Sequence, residues 1–124
     1  MALIPKEAAE HFAAAFEAFV DAAALAAEQA GPESQGTPMF AAWRAHVLPL
    51  LQKQKGDVAE ALRLFRAGDF QALVLAAEDK RGLAKDMDGF FLDFAGPGTA
   101  EELGRLRAAV VAAACEVCQS SGVS

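Results

Sequence analysis

The sequence predicts an all-α fold: a single-domain bundle of five to six helices, with long first and last helices packed together. Three observations predict it. Apolar residues recur at three- and four-residue steps through most of the chain, and no segment alternates apolar with polar at a period of two. Alanine fills 30 of the 124 positions, which raises helix propensity while adding little to a core. Gly, Pro and Asp punctuate the chain where helices end and begin. The length fits one domain over 1–124, with 1–4 and 120–124 as frayed tails.

The first helix is predicted over residues 6–30. Pro5 suits a first turn, and Gly31-Pro32 closes the segment. Phe12, Phe16, Phe19, Val20 and Ala23 share one face. Glu7, Glu10, Glu17, Asp21 and Glu28 form an acidic line on another, and Leu25 projects among them as an exposed apolar residue. Residues 31–38 read as a loop, with Thr37-Pro38 as a cap and first-turn proline. A second helix is predicted over 39–55, with Phe40, Trp43, Val47, Leu50 and Leu51 inward and a kink or break at Pro49.

Two Gly-Asp pairs come next, Gly56-Asp57 and Gly68-Asp69. Each reads as a helix end with the next helix's cap. They delimit a short helix over 58–67 with Val58, Leu62 and Phe65 inward. Another helix starts at Phe70, with Phe70, Leu73, Val74 and Ala77 inward, and Gly82 interrupts or ends it. The two pairs lie 12 residues apart, which excludes a tetratricopeptide array and its 34-residue period. Gly96-Pro97-Gly98 is a break. Thr99 and Glu102 then form a capping box for a last helix reaching about residue 119. Its inner stripe is Leu103, Leu106, Val110, Ala113, Ala114 and Val117.

Net charge is −6, and it is unevenly placed. Residues 1–36 and 86–124 are acidic, while 37–85 carry a basic excess. Such a chain neutralises itself on folding or pairs head to tail with a copy. The acidic total argues against direct nucleic-acid binding, which draws most of its affinity from phosphate neutralisation. No apolar run is long enough for a membrane span, and the start lacks a secretory pattern. Two cysteines in such a chain read as reduced thiols in a cytoplasmic protein.

Chemistry-bearing motifs are sparse. Cys115 and Cys118 form a C-x-x-C, but near a helix C-terminus, where the dipole disfavours thiolate. They read as inert thiols. His11, one turn after Glu7, reads as a surface ion pair. His46 reads as a boundary residue with one nitrogen hydrogen-bonded. Neither comes after a Glu at the three-residue spacing of carboxylate-bridged metal bundles. Asp86-Met87-Asp88-Gly89 lacks the first and last acids of a calcium loop, and Gly96-Pro97-Gly98 lacks the Lys-Ser or Lys-Thr of a phosphate cradle. No cofactor or metal is implied.

The sequence points to a non-catalytic helical interaction protein, regulatory or adaptor in kind, that binds another protein and forms a homodimer. Phe90, Phe91 and Phe94 would form its apolar docking face, since a helix cannot turn all three toward one core. Glu7, Glu10, Glu17, Asp21 and Glu28 would set orientation. One alternative is an acidic inhibitor occupying the basic site of a nucleic-acid-binding protein; its mark would be those five carboxylates left exposed and unpaired. A second is a small ligand-binding or enzymatic bundle, marked by a buried, unpaired Asp or Glu in a pocket.

Overall fold

Helix α1 spans Lys6–Glu28 in the computed structural model, which describes residues 4–28, 38–87 and 97–120. Ala9 N–H donates to the Pro5 carbonyl at 3.2 Å and closes the first turn, where the fixed φ of proline is an advantage. Phe12, Phe16, Phe19, Val20 and Ala23 are buried, as their spacing predicts, and Leu25 is 51 % exposed.

Helix α2 is one continuous rod over 38–66. It comprises a first turn at Pro38–Ala42, a π-helical turn at Trp43–Val47 and an α-helix at Leu48–Arg66. The π turn explains how Pro49 sits inside a helix. Proline has no N–H, and in a regular α-helix its ring would press on the Ala45 carbonyl. Here Leu48 N–H donates to the Trp43 carbonyl five residues back, so the turn is wider and relieves that crowding. The predicted kink or break is therefore a wide turn. The extra residue rotates the remainder of α2 by about 100°. That corrects the place of Leu50, predicted inward but 47 % exposed, and leaves Leu51 fully buried, as Trp43 is.

The two Gly-Asp pairs behave differently. Gly56-Asp57 lies within Leu48–Arg66 and does not end a helix. Leu51, Val58 and Phe65 keep one seven-residue stripe through it, and both members of the pair point outward. Gly68-Asp69 is a true break. Continuing the helix would bring Asp69 onto the stripe of Phe65, four residues on. Instead Gly68 takes φ 106°, a left-handed conformation that glycine adopts without a Cβ clash. Asp69 Oδ1 then accepts from Ala72 N–H at 3.2 Å and caps α3, Phe70–Asp86. Gly82 stays within α3, which corrects the expected interruption. Phe70, predicted inward, is 39 % exposed and tilts against Phe65 at 5.2 Å between ring centroids.

Helix α4, Pro97–Ser120, begins two residues before the predicted cap. Proline is preorganised for a first helical position, so Thr99 is inside the helix and the capping-box reading is corrected. Arg107 Nη1 donates to the Ala84 carbonyl at 3.0 Å, satisfying an acceptor near the C-terminus of α3.

The described residues thus form four helices, and the expected five to six is corrected by the continuity of α2 through Gly56-Asp57. α1 packs on α2 and α4, and α3 packs on the same two. Cross-helix partners fix the directions. Asp21 meets Lys55 while Glu10 meets Arg66, so α1 and α2 are antiparallel. Arg81 meets Cys115 while Ala84 meets Arg107, so α3 and α4 are too. The core between them holds Trp43, Phe12, Phe16, Phe19, Leu51, Leu73 and Leu103. No helix among the described residues is long and apolar enough to cross a membrane.

Gly56, Gly82 and Gly104 sit inside helices without positive φ, and a Cβ at each would meet nothing within 4 Å. Replacing each by alanine is expected to stabilise the fold by about 0.5–1 kcal/mol. The gains should add, since the three lie on different helices. Guanidinium unfolding of the triple variant checks this by a raised midpoint at unchanged slope.

Candidate functional site

The acidic line of α1 is divided by the fold. Asp21 Oδ1 accepts from Lys55 Nζ at 2.7 Å, and Glu10 Oε1 accepts from Arg66 Nη2 at 3.3 Å. The Asp21 hydrogen bond holds Lys55 above its ordinary pKa, outweighing the opposing effect of burial, and the charges of Asp21 and Glu17 act in the same direction as the hydrogen bond. The acidic first segment is thus partly neutralised by the basic middle of the same chain. Glu7, Glu17 and Glu28 are exposed and make no ion pair among the described residues. The two bridges lie eleven residues apart on each helix, three turns, which keeps both on the same side.

Between and beyond these bridges runs a groove. One part, about 540 Å³, has Phe16, Val20, Val58 and Leu62 as its apolar floor, with Glu17, Asp21, Lys55 and Arg66 at its rim. Ala13 and Ala24 on α1 and Gly56 and Ala59 on α2 keep the walls low. A second part, about 340 Å³, shares Ala24 and Gln52 with the first and continues to Ala27, Glu28, Arg44 and Leu48. From Ala13 to Glu28 the groove runs beside α1 for about 22 Å at the helical rise. Its floor is built by the inward stripes of both helices, and its openness by small residues one position off those stripes.

Comparison with protein families, curated proteins and solved structures finds no match. The functional reading therefore rests on the groove and on the charged groups around it.

Among the other candidate positions, Phe90, Phe91 and Phe94 lie outside the described residues. His11 Nδ1 lies 3.8 Å from Glu116 Oε2 of α4, which corrects its predicted pairing with Glu7. His46 is exposed in the π turn, not at a buried boundary. Cys115 is half-buried with Arg81 Nη1 4.0 Å from its sulfur, and Cys118 is buried one turn on. Burial pushes the Cys118 thiol up, outweighing the opposing charge of Arg81, so Cys118 stays a thiol at neutral pH. No group of three His, Cys, Asp or Glu side chains among the described residues stands close enough to hold a metal ion.

One residue escapes a reading by sequence alone. Lys80 is the sole buried charged residue among those described, at 5 % exposure. Its Nζ donates to Asp79 Oδ2 at 2.6 Å and stands 5.9 Å from the centre of the Phe16 ring, a cation–π arrangement. A signal for it exists: Leu73, Ala77, Lys80 and Ala84 lie on one inward stripe. Lys80 thus braces, from α3, the ring that forms the floor of the groove.

Proposed function

We propose that this chain is a non-catalytic interaction protein, a regulatory or adaptor module that receives a helix of another protein between α1 and α2. The groove carries this reading. It is long, floored by apolar side chains, walled by small ones and bordered by charge, the combination that helix-in-groove recognition uses. Phe16, Val20 and Val58 are already buried, so affinity would come from covering Leu62 and the small walls at Ala13, Ala24, Gly56 and Ala59, while the charged rim would select the partner and its direction.

The acidic-inhibitor alternative draws less support. Of the five carboxylates it needs exposed and unpaired, Glu10 and Asp21 are engaged by Arg66 and Lys55. The ligand-binding or enzymatic alternative would be favoured by a buried, unpaired Asp or Glu, and the buried charge among the described residues is Lys80.

The test is a blocking experiment. A fluorescent synthetic helix with an Ala-Leu face and lysines along one edge serves as the probe, read by anisotropy. Ala59→Trp fills the groove wall and is expected to weaken binding at least about tenfold, roughly the loss of one buried anchor. Ala108→Trp, on an exposed face of α4, is expected to leave it unchanged. Equal binding by wild type and both variants would remove the reading.

A further inference from the structure

A pair of thiols stands away from the groove, where α3 packs on α4. Cys115 and Cys118 are both free and lie one turn apart on α4, Cys118 buried and Cys115 half-buried. Residues three apart share a helix face, with Cβ atoms about 5–6 Å from each other. A disulfide needs about 3.5–4.5 Å, so the pair is too wide for an unstrained S–S bond. A metal–thiolate bond is about 2.3 Å, so two in line span about 4.6 Å, a separation that two side chains on one face can bridge. We infer that Cys115 and Cys118 hold one soft monovalent cation of the copper(I) type in linear two-sulfur coordination, beside Arg81.

The surroundings select that class of ion. Among the described residues no third His, Cys, Asp or Glu stands close enough to complete a larger donor set, so the four donors of a structural zinc site are not assembled. Soft thiolates favour copper(I), which two sulfurs in line satisfy. Arg81 Nη1 lies 4.0 Å from the Cys115 sulfur, and its charge acts on Cys118 as well. Two thiolates and one monovalent cation leave a single negative charge, which the guanidinium offsets. Glu78 acts against Arg81 at Cys118, but more weakly. Glu116, next to Cys115 in the chain, faces His11 of α1 at 3.8 Å. The last turn of a helix disfavours a bare thiolate and favours a cation, so the ion gains where the free thiolate loses. On binding, two S–H bonds give their protons to solvent and two sulfur–metal bonds form, with no electron transferred. The half-buried Cys115 is the way in, and the burial of Cys118 keeps water from the bound ion.

The experiment uses the full chain, reduced and free of oxygen. Copper(I) is delivered from the chelator bicinchoninate, and silver(I) serves as a second probe that does not change oxidation state. Native mass spectrometry is expected to show one ion per chain, with two protons released. X-ray absorption should show two sulfur neighbours and no nitrogen. Cys115→Ser, at the half-buried position, should lose the ion to the chelator while keeping the helical circular-dichroism signal. Cys118→Ala should lose it too. Arg81→Met should weaken binding by about 10–100-fold, the cost of removing an outer partner of metal ligands. Zinc(II) should bind wild type no more tightly than it binds Cys115→Ser. Two ions per chain would overturn the inference, as would a Cys115→Ser variant that holds copper(I) against the chelator as wild type does. Tight zinc binding that depends on Cys115 would overturn it as well, by showing a fuller donor set. Wild-type affinity in Arg81→Met would remove the part given to the guanidinium.

Discussion

Replacing Trp43 by alanine is expected to cost about 3–5 kcal/mol, a large part of the stability of a domain this size. The indole is fully buried and lies in the π turn that sets the register of α2. Truncation would leave a cavity in a close-packed core, with little room to relax. Two neighbours make the expectation specific to the wide turn. Leu51→Ala is expected to cost about 2–5 kcal/mol, whereas Leu50→Ala should stay within about 0.5 kcal/mol. In a regular α-helix Leu50, seven residues after Trp43, would share its inward face. The π turn moves Leu51 into that place. Denaturant unfolding of the three variants measures all of these, and equal costs at Leu50 and Leu51 would show that α2 runs straight through Pro49.

Lys80→Met is expected to stabilise the bundle by about 1 kcal/mol, the low end of what replacing a whole buried ion pair achieves, since only the lysine is buried. The ammonium group is stripped of most of its water, and the partner that compensates it, Asp79, is itself 67 % exposed. Solvent therefore weakens the pair, while methionine would keep the packing against Phe16. Asp79→Asn should act in the opposite direction by removing the neighbouring negative charge. If Lys80→Met lowers stability, the ammonium makes a net favourable contribution through Asp79 and the Phe16 ring. The groove gives the lysine a functional context: it sits behind Phe16, so a stability gain in Lys80→Met together with weaker peptide binding would mark a side chain retained for the floor's shape.

Much of the fold is legible in the sequence because it obeys one periodicity. The inward stripes of α1 and α4 can be read directly, and both helices reach close to their predicted ends. Gly56-Asp57 and Gly68-Asp69 look alike as dipeptides, and the neighbouring stripe separates them. At the first, Leu51 and Val58 stay in phase; at the second, continuation would direct Asp69 into the core. Periodicity misplaces Leu50 because a local backbone change at Pro49 alters every later angle, and composition does not reveal it. The division of the α1 carboxylates is partly legible: the acidic and basic segments anticipate internal neutralisation, but choosing Glu10 and Asp21 over Glu17 requires the antiparallel register of α2. The groove itself is not legible. Whether Ala13, Ala24 and Ala59 close a helix interface or leave it open depends on how far apart the two axes lie, and that distance is set by packing across the whole bundle.

The most direct measurement is an amide NMR titration of the isotope-labelled chain with the lysine-edged Ala-Leu helix. Docking in the groove predicts shifts that cluster on Ala13, Glu17, Ala24, Glu28, Gly56 and Ala59, with α3 and the outer face of α4 nearly unchanged. Shifts centred on α3 and α4, or none as the peptide is added, would contradict it.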